Sequence, residues 1–285
     1  MKKFLFVVIL FLSSKALFPA FEDFKTGARP EALGGAFTSL ATDHNAVFWN
    51  PSGLSELEKP EVFSVYKRLF GIVNNFTFTS AVPSRWGNFA FTIRESSVKG
   101  NYTDVNGNII ESNAVLEAER AFIFSQGFHL IKEVSFGYNI LGYQLKNIRF
   151  GDYYSLGIDI GMLMEVYKRW RIGLFYHNLN SPLIGSEYKH QLPEEVSVGL
   201  SYMPFKSVVT LLDIEKQLGY DINVKMGTEL TVIKEFLIIR GGIETEPIQF
   251  SLGFGTGYRH LRLNYAFRIH TELPFTHLLE AGWEF

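Results

Sequence analysis

Residues 260–270 read HLRLNYAFRIH, and the fold turns on how that stretch divides. Leu261, Leu263, Tyr265, Phe267 and Ile269 fall on one side of an extended chain; Arg262, Asn264, Ala266, Arg268 and His270 fall on the other. Period two marks a strand, since a helix would scatter the same residues around its circumference. The stretch before it, 248–258, sets Ile248, Phe250, Leu252, Phe254, Thr256 and Tyr258 against Gln249, Ser251 and three glycines. Residues 222–232 repeat the pattern, with Ile222, Val224, Met226, Leu230 and Val232 opposite Asn223, Lys225, Gly227, Glu229 and Thr231.

Alternation alone also fits a soluble sandwich. Two further features point to a membrane barrel. The apolar faces run unbroken for about nine to eleven residues, the length a tilted strand needs to cross a bilayer. The other faces carry small residues and charges of both signs, as a wet or plugged lumen would. Fourteen such stretches lie between residues 60 and 285, an even number. Connections after even strands are tight (Pro83–Trp86, Lys168-Arg169, Phe205-Lys206, Lys234-Glu235), whereas the two long ones, Val98–Leu116 and Asn180–Glu194, follow odd strands. Sorting by parity puts short turns on one rim and long loops on the other, with the short rim periplasmic.

Composition agrees. The 285 residues include 27 Phe, 13 Tyr and 4 Trp, more aromatic surface than a soluble core needs. A net charge of −2 leaves no footprint for nucleic acid. The absence of cysteine removes thiolate metal sites, disulfides and cysteine nucleophiles. Lys2 and Lys3 precede the apolar run Phe4–Leu12, followed by small residues up to Ala16 and Ala20, the order of a secretory signal and too short to span a bilayer. The reading divides the chain into a signal peptide (1–20), a hatch or plug (21–59) and a transmembrane antiparallel β-barrel (60–285).

Within the hatch, Pro30 suits a first helical turn, Asp43 a cap, and Asn50-Pro51 a cap followed by a first position. Gly34 and Gly35 permit close packing. Small helices built of small residues can fold back into a barrel mouth and fill it. At the other end, HLLEAGWEF (277–285) is an amphipathic last strand closing on Trp283 and Phe285, of the kind outer-membrane assembly machinery recognises.

Residues 27–54, GARPEALGGAFTSLATDHNAVFWNPSGL, resemble the N-terminal signature of the FadL-like outer-membrane proteins, particularly the PorV/PorQ branch. The resemblance rests on the Gly-Ala-Arg start, the run at Gly34-Gly35, the acid Asp43 and the ending Trp49-Asn50-Pro51-Ser52-Gly53-Leu54. It continues in LGIDIGML (156–163), IGLFYHNLN (172–180), LPEEVSVGLSYMP (192–204) and LLDIEK (211–216). It implies a fourteen-stranded barrel with a short helical N-terminal hatch in the periplasmic mouth, in the outer membrane of a Gram-negative-type bacterium. It implies two roles, of which the first is the main reading and the second the alternative. The branch points to an accessory or scaffold in type IX protein secretion or surface attachment, with secretion components or cargo as partners. The wider superfamily implies passage of a small hydrophobic ligand, with an apolar pocket near the outer loops and a break in one wall strand, expected near Gly87–Gly100.

Enzyme chemistry finds little purchase. GFGTGY (253–258) imitates a dinucleotide loop but lies on a strand with no following helix. SVYK (64–67) has Ser-x-x-Lys spacing without its companion motifs. The seven histidines are scattered, so neither a metal nor a cofactor is expected. The inward charges are more telling. Arg240, Arg259, Arg262 and Arg268 are expected on one side of the lumen, facing Asp159, Asp213, Glu215, Glu229 and Glu280, as ion pairs that seat the hatch rather than as a path for solutes.

Overall fold

The computed structural model describes residues 20–104, 107–186, 189–234, 236–271 and 273–285; the signal-peptide reading falls outside them. Fourteen antiparallel strands close into a barrel. In chain order they are β1 (Glu61–Leu69), β2 (Val73–Val82), β3 (Asn88–Thr103), β4 (Ile109–Ile131), β5 (Val134–Asn147), β6 (Gly151–Tyr167) and β7 (Trp170–His177). After a two-residue hairpin, β8 (Leu183–Ile184) and β9 (His190–Gln191), the wall resumes with β10 (Glu195–Phe205), β11 (Val208–Gln217), β12 (Ile222–Ile233) and β13 (Leu237–Thr245). It ends with β14 (Ile248–Tyr258), β15 (Leu261–Ile269) and β16 (Thr276–Glu284). β16 closes on β1 in continuous register from Glu61↔Glu284 to Arg68↔His277.

The faces sort as the alternation requires, and they are inverted relative to a soluble domain. On β14, Ile248, Phe250, Leu252 and Phe254 are exposed on the outer wall, while Gln249 and Ser251 are buried inside. Thr77, Thr92, Arg94, Asn139, Asp213 and Glu280 are likewise buried in the lumen. An apolar exterior around a polar interior suits a barrel whose solvent is lipid.

One rim, here the closing rim, carries the start of β1 and the end of β16; its connections run two to five residues. The opposite loop rim is less uneven than the sequence reading has it. Residues 98–116 are not a long loop: β3 continues to Thr103 and β4 begins at Ile109, so the pair stands as an extended hairpin. The bulges at Val98/Lys99 and around Gly100–Thr103 absorb the irregular glycine-rich sequence without ending the ladder. β3 is also paired from Phe89 to Val98 on both sides, so the wall is not broken near Gly87–Gly100. The long connection is residues 178–194, between β7 and β10.

Residues 20–57 lie within the barrel, and 58–60 emerge exposed to lead into β1. The enclosed residues form α1 (Ala28–Ala32), α2 (Ala46–Trp49) and a 3-10 turn over Pro51–Glu56, joined by short irregular segments. Asn50 caps that turn, with its side chain accepting from the Ser52 backbone N–H and Pro51 in first position, where a missing N–H costs nothing. Ala28, Leu33, Ala36, Phe37, Ala41, Val47 and Leu54 have no contact with water. A fourteen-stranded wall encloses more space than its own side chains fill, and the hatch fills it.

Candidate functional site

The hatch lies against a belt of glycines. Gly127 on β4, Gly137 on β5 and Gly161 on β6 face Pro51, Ser52 and Asn50. Gly173 on β7 and Gly199 on β10 face Thr38 and Ser39; Gly227 on β12 and Gly242 on β13 face Leu33. Cross-strand pairing sets these glycines side by side: Gly127↔Gly137, Gly137↔Gly161, Gly173↔Gly199 and Gly227↔Gly242 are direct partners. The missing side chains open a groove around the inner wall in which the hatch backbone runs. A Cβ on Gly127 would stand 2.6 Å from the Pro51 carbonyl oxygen, and one on Gly227 the same distance from that of Leu33. The hatch's own glycines are equally constrained. Gly34 and Gly35 have φ of 66° and 74°, and a Cβ on Gly34 would meet the Ile243 backbone nitrogen at 2.6 Å. Gly53 packs directly on the Ala41 carbonyl.

Polar side chains of the wall then pin the hatch backbone. The Asp213 carboxylate accepts from the backbone N–H of Phe37 and Thr38 at 2.9 and 2.8 Å. Glu280 accepts from Ala28 N–H at 2.8 Å, and Asn139 donates to the Val47 carbonyl at 2.8 Å. From the hatch side, Asn50 donates to the carbonyls of Thr38 (2.8 Å) and Met162 (3.0 Å), tying two hatch turns to β6. Trp49 is buried and donates its indole N–H to the Thr26 carbonyl at 3.0 Å.

Ion pairs complete the seat. Lys67 on β1 has no contact with water and lies 2.6 Å from Asp23 and 2.9 Å from Glu31. Arg268 pairs with Glu31 from β15. Lys25 bridges Glu195 and Glu215, and Lys225 joins Glu215 at 2.6 Å. Arg29 links Asp43 and Glu229 at 2.8 Å each, and Arg240 reaches the same Glu229 at 2.7 Å and Asn264 at 2.9 Å. Burial opposes charge on Lys25 and Arg29, but their carboxylate partners outweigh it and hold both above their ordinary values. Burial likewise opposes ionised Asp43; Arg29, then His44, reverse the balance and keep its carboxyl below the usual range. His44 stacks on Phe63 and stands 3.5 Å from both Glu61 and Glu280. Burial pulls its pKa down, and Glu280 foremost, with Glu61 and Asp43, lifts it well above the ordinary imidazole value.

Most of the expected lumen charges therefore meet hatch residues or one another. One does not belong to the lumen. Arg259 is exposed on the β14–β15 turn, lying over the Tyr258 ring, because the strand alternation ends before it and its backbone turns left-handed at φ 54°. Arg262 lines the mouth of the lumen, where it pairs with Glu284 at the closing rim. Trp283 and Phe285 face outward there, and Phe285 N–H donates to the Pro60 carbonyl at 2.9 Å. Lys25, Arg29, Glu31, His44, Lys67 and Lys225 were not singled out in the sequence. The available signal was a lysine such as Lys67 or Lys225 on the polar face of a strand.

At the loop end, the lumen is apolar on the side next to β4–β6, while the ion pairs of Lys25, Lys225 and Arg268 lie across from it. Phe21, Phe24, Phe48, Ile123, Leu141 and Tyr143 form a continuous buried cluster, and Ile184 and Leu192 from segment 178–194 roof it. This segment also covers a step in the wall. The last ladder pair between β6 and β7 is Ile160↔Tyr176, and β6 continues beyond it through Gly151–Asp159. Leu179 N–H donates to the Ile158 carbonyl at 2.8 Å; the Asn180 side chain accepts from Ile158 N–H at 2.9 Å and donates to the Leu156 carbonyl at 2.8 Å. Asn178 accepts from Tyr143 Oη at 2.9 Å and donates to the Pro193 carbonyl at 2.7 Å. Leu179 and Leu183 are exposed beside the outward residues Tyr154, Leu156 and Ile158. One segment thus supplies both roof and wall. Under the hatch, at the closing rim, lies a polar cavity of about 850 Å³ lined by Arg29, Asp43, His44, Arg240, Arg262 and Asn264 among others.

Among the described residues no helix is long and apolar enough to cross a membrane, and no group of three or more His, Asp or Glu is placed to hold a metal ion. No protein-family model and no curated protein sequence matches the chain. The fold is similar to that of solved outer-membrane channels. The monoaromatic hydrocarbon channel CymD superposes with a TM-score of 0.64 at 11% identity, over 93% of this chain and 99% of that one. The P. putida toluene transporter TodX gives 0.67 at 11% identity, over 91% and 98% of the two chains. A Pseudomonas aeruginosa FadL homologue gives 0.63 at 10% identity, over 91% and 98%.

Proposed function

We propose that this protein is a FadL-like barrel of the bacterial outer membrane that passes small hydrophobic molecules, with segment 178–194 as its lid and the hatch as its floor. The observation that carries the reading is the packed apolar cluster beside β4–β6 at the loop end, which Ile184 and Leu192 join from segment 178–194, next to the step where β7 stops short of β6. A hydrophobic molecule that displaces the lid meets Phe21, Phe24 and Tyr143, while the space below the hatch is lined by arginines, His44 and acids. Desolvating those charges around a hydrocarbon is costly, so the favourable exit is sideways, past β6 into the bilayer. The names of the similar structures, hydrocarbon and toluene channels, support the same class of cargo.

The similar structures give no support to the secretion-accessory role, to which the sequence resemblance and the short loops point. The deciding experiment measures uptake of radiolabelled toluene and of a long-chain fatty acid by cells making the protein or an empty vector. Faster uptake of either, abolished when Ile184 and Leu192 are both changed to Asp, supports the proposal. Unchanged uptake together with a stoichiometric co-purifying protein overturns it in favour of an accessory role.

A further inference from the structure

The outer wall carries a groove that the passage of cargo does not use. It lies across β10–β14 and has a volume of about 650 Å³. Its floor is the cross-strand row Thr210↔Thr228↔Gly241, where the outward side chains shrink to two threonines and a glycine. One bank is the row Leu200↔Leu212↔Met226↔Ile243↔Phe250, large and apolar throughout. The Tyr202 ring, stacked on Trp170 at 4.2 Å, closes one end, and Leu252, paired with Gly241, closes the other. Between larger outward side chains on either side, this row leaves a cleft in the wall.

Charge marks what occupies it. The closed end abuts the turns Lys168-Arg169 and Lys206-Ser207 of the closing rim. Lys168, Arg169 and Lys206 are exposed there, and the Arg169 guanidinium donates to the Pro204 carbonyl at 2.5 Å, which holds it over the end of β10. Lys132 and Arg259 stand on neighbouring turns of the same rim, so each strand pair presents a cation just beyond the aromatic residues. Stacked aromatics with cations beyond them are the arrangement found where a membrane's apolar core meets its headgroups. Such clusters attract anionic lipid.

We propose that this groove is a phospholipid site, with an acyl chain lying over Thr210, Thr228 and Gly241 and the phosphate held by Lys168 and Arg169, the turn that leads into Trp170. The site rests on the barrel lying in a membrane and not on any cargo, so it stands or falls separately from the transport reading. An ordinary lipid-facing wall exchanges its lipids freely; a cleft that adds chain contacts to a paired headgroup retains one through gentle extraction.

The test is native mass spectrometry of the full barrel extracted in mild detergent, with the bound lipids identified after release. One glycerophospholipid per barrel is expected, enriched in phosphatidylglycerol over phosphatidylethanolamine. The Thr210→Leu/Thr228→Leu variant fills the floor with side chains that suit a lipid-facing strand, and retention falls about tenfold, as the loss of two or so methylene contacts would give. Lys168→Gln/Arg169→Gln leaves the cleft open and removes the preference for the anionic lipid. Heat-modifiable migration on gels verifies that each variant is a folded barrel. No retained lipid in the parent, retention unaffected by filling the floor, or lipid A in place of glycerophospholipid would each overturn the proposal.

Discussion

The Lys67 ammonium on β1 lies 2.9 Å from the Glu31 carboxylate of the hatch, and neither side chain has contact with water. A buried pair of this kind is costly to break from one side, because the remaining charge stays in place without its partner. Lys67→Met is expected to weaken hatch seating near the lower end of the about 3–5 kcal/mol that broken buried pairs cost, since Arg268 still reaches Glu31. Trp49, buried in the hatch, is the reporter, with the three wall tryptophans replaced by Phe. Urea titration in micelles should show its emission shifting at lower denaturant in the variant, with partial recovery in Lys67→Met/Glu31→Gln. Coincident titrations for parent and single variant would show that the pair does not hold the hatch.

The glycine belt makes a steric prediction with an internal control. Gly127→Ala and Gly227→Ala each push a methyl group into hatch backbone, an overpacking cost on the order of 1–3 kcal/mol. Gly142 on β5 is outside the belt; its nearest neighbour to an added Cβ is the Phe122 carbonyl at 3.9 Å. Planar-bilayer recordings should therefore show ion conductance for the two belt variants and a silent barrel for Gly142→Ala. Conductance independent of position would mean that the belt does not act through the hatch.

His44 gives the hatch a pH dependence of known sign. Its folded pKa is raised, so its contribution is complete below the unfolded value of about 6.5 and is lost as pH rises through the folded value. Protease protection of residues 28–55 should differ most between parent and His44→Gln near pH 6, and the difference should shrink only as pH rises well above about 6.5, through the raised folded value. A difference that instead falls away on crossing pH 6.5 contradicts a charged His44 between Glu61 and Glu280.

The segment proposed as the lid is bonded to β6 through Asn180. Asn180→Ala removes two hydrogen bonds, each with a net value of about 1 kcal/mol, so the opened population should rise roughly thirtyfold. With no native cysteine, Ile184→Cys is a clean probe, being only 2% exposed in the closed state. Its maleimide labelling rate should rise by that factor in the Asn180→Ala background, and also on adding toluene to the parent background. Equal rates would indicate that segment 178–194 is not gated at this edge.

The alternation at 260–270 and its thirteen relatives determined the wall, because a period of two in side-chain direction is local and lipid accepts only a closed sheet. Asn50-Pro51 determined its own turn for the same reason: cap and first position are one residue apart. Tertiary structure decided the rest. Gly127, Gly137 and Gly161 are each unremarkable on their own strands and become a groove only through register. Lys67 finds Glu31 across 36 residues, and Arg268 finds it across 237, so no spacing in the chain announces either pair. Segment 178–194 reads as a loop because its hydrogen bonds go to the free edge of β6, which exists only where β7 stops short. Properties set by neighbours along the chain were legible in it; properties set by neighbours across the lumen waited for closure of the barrel.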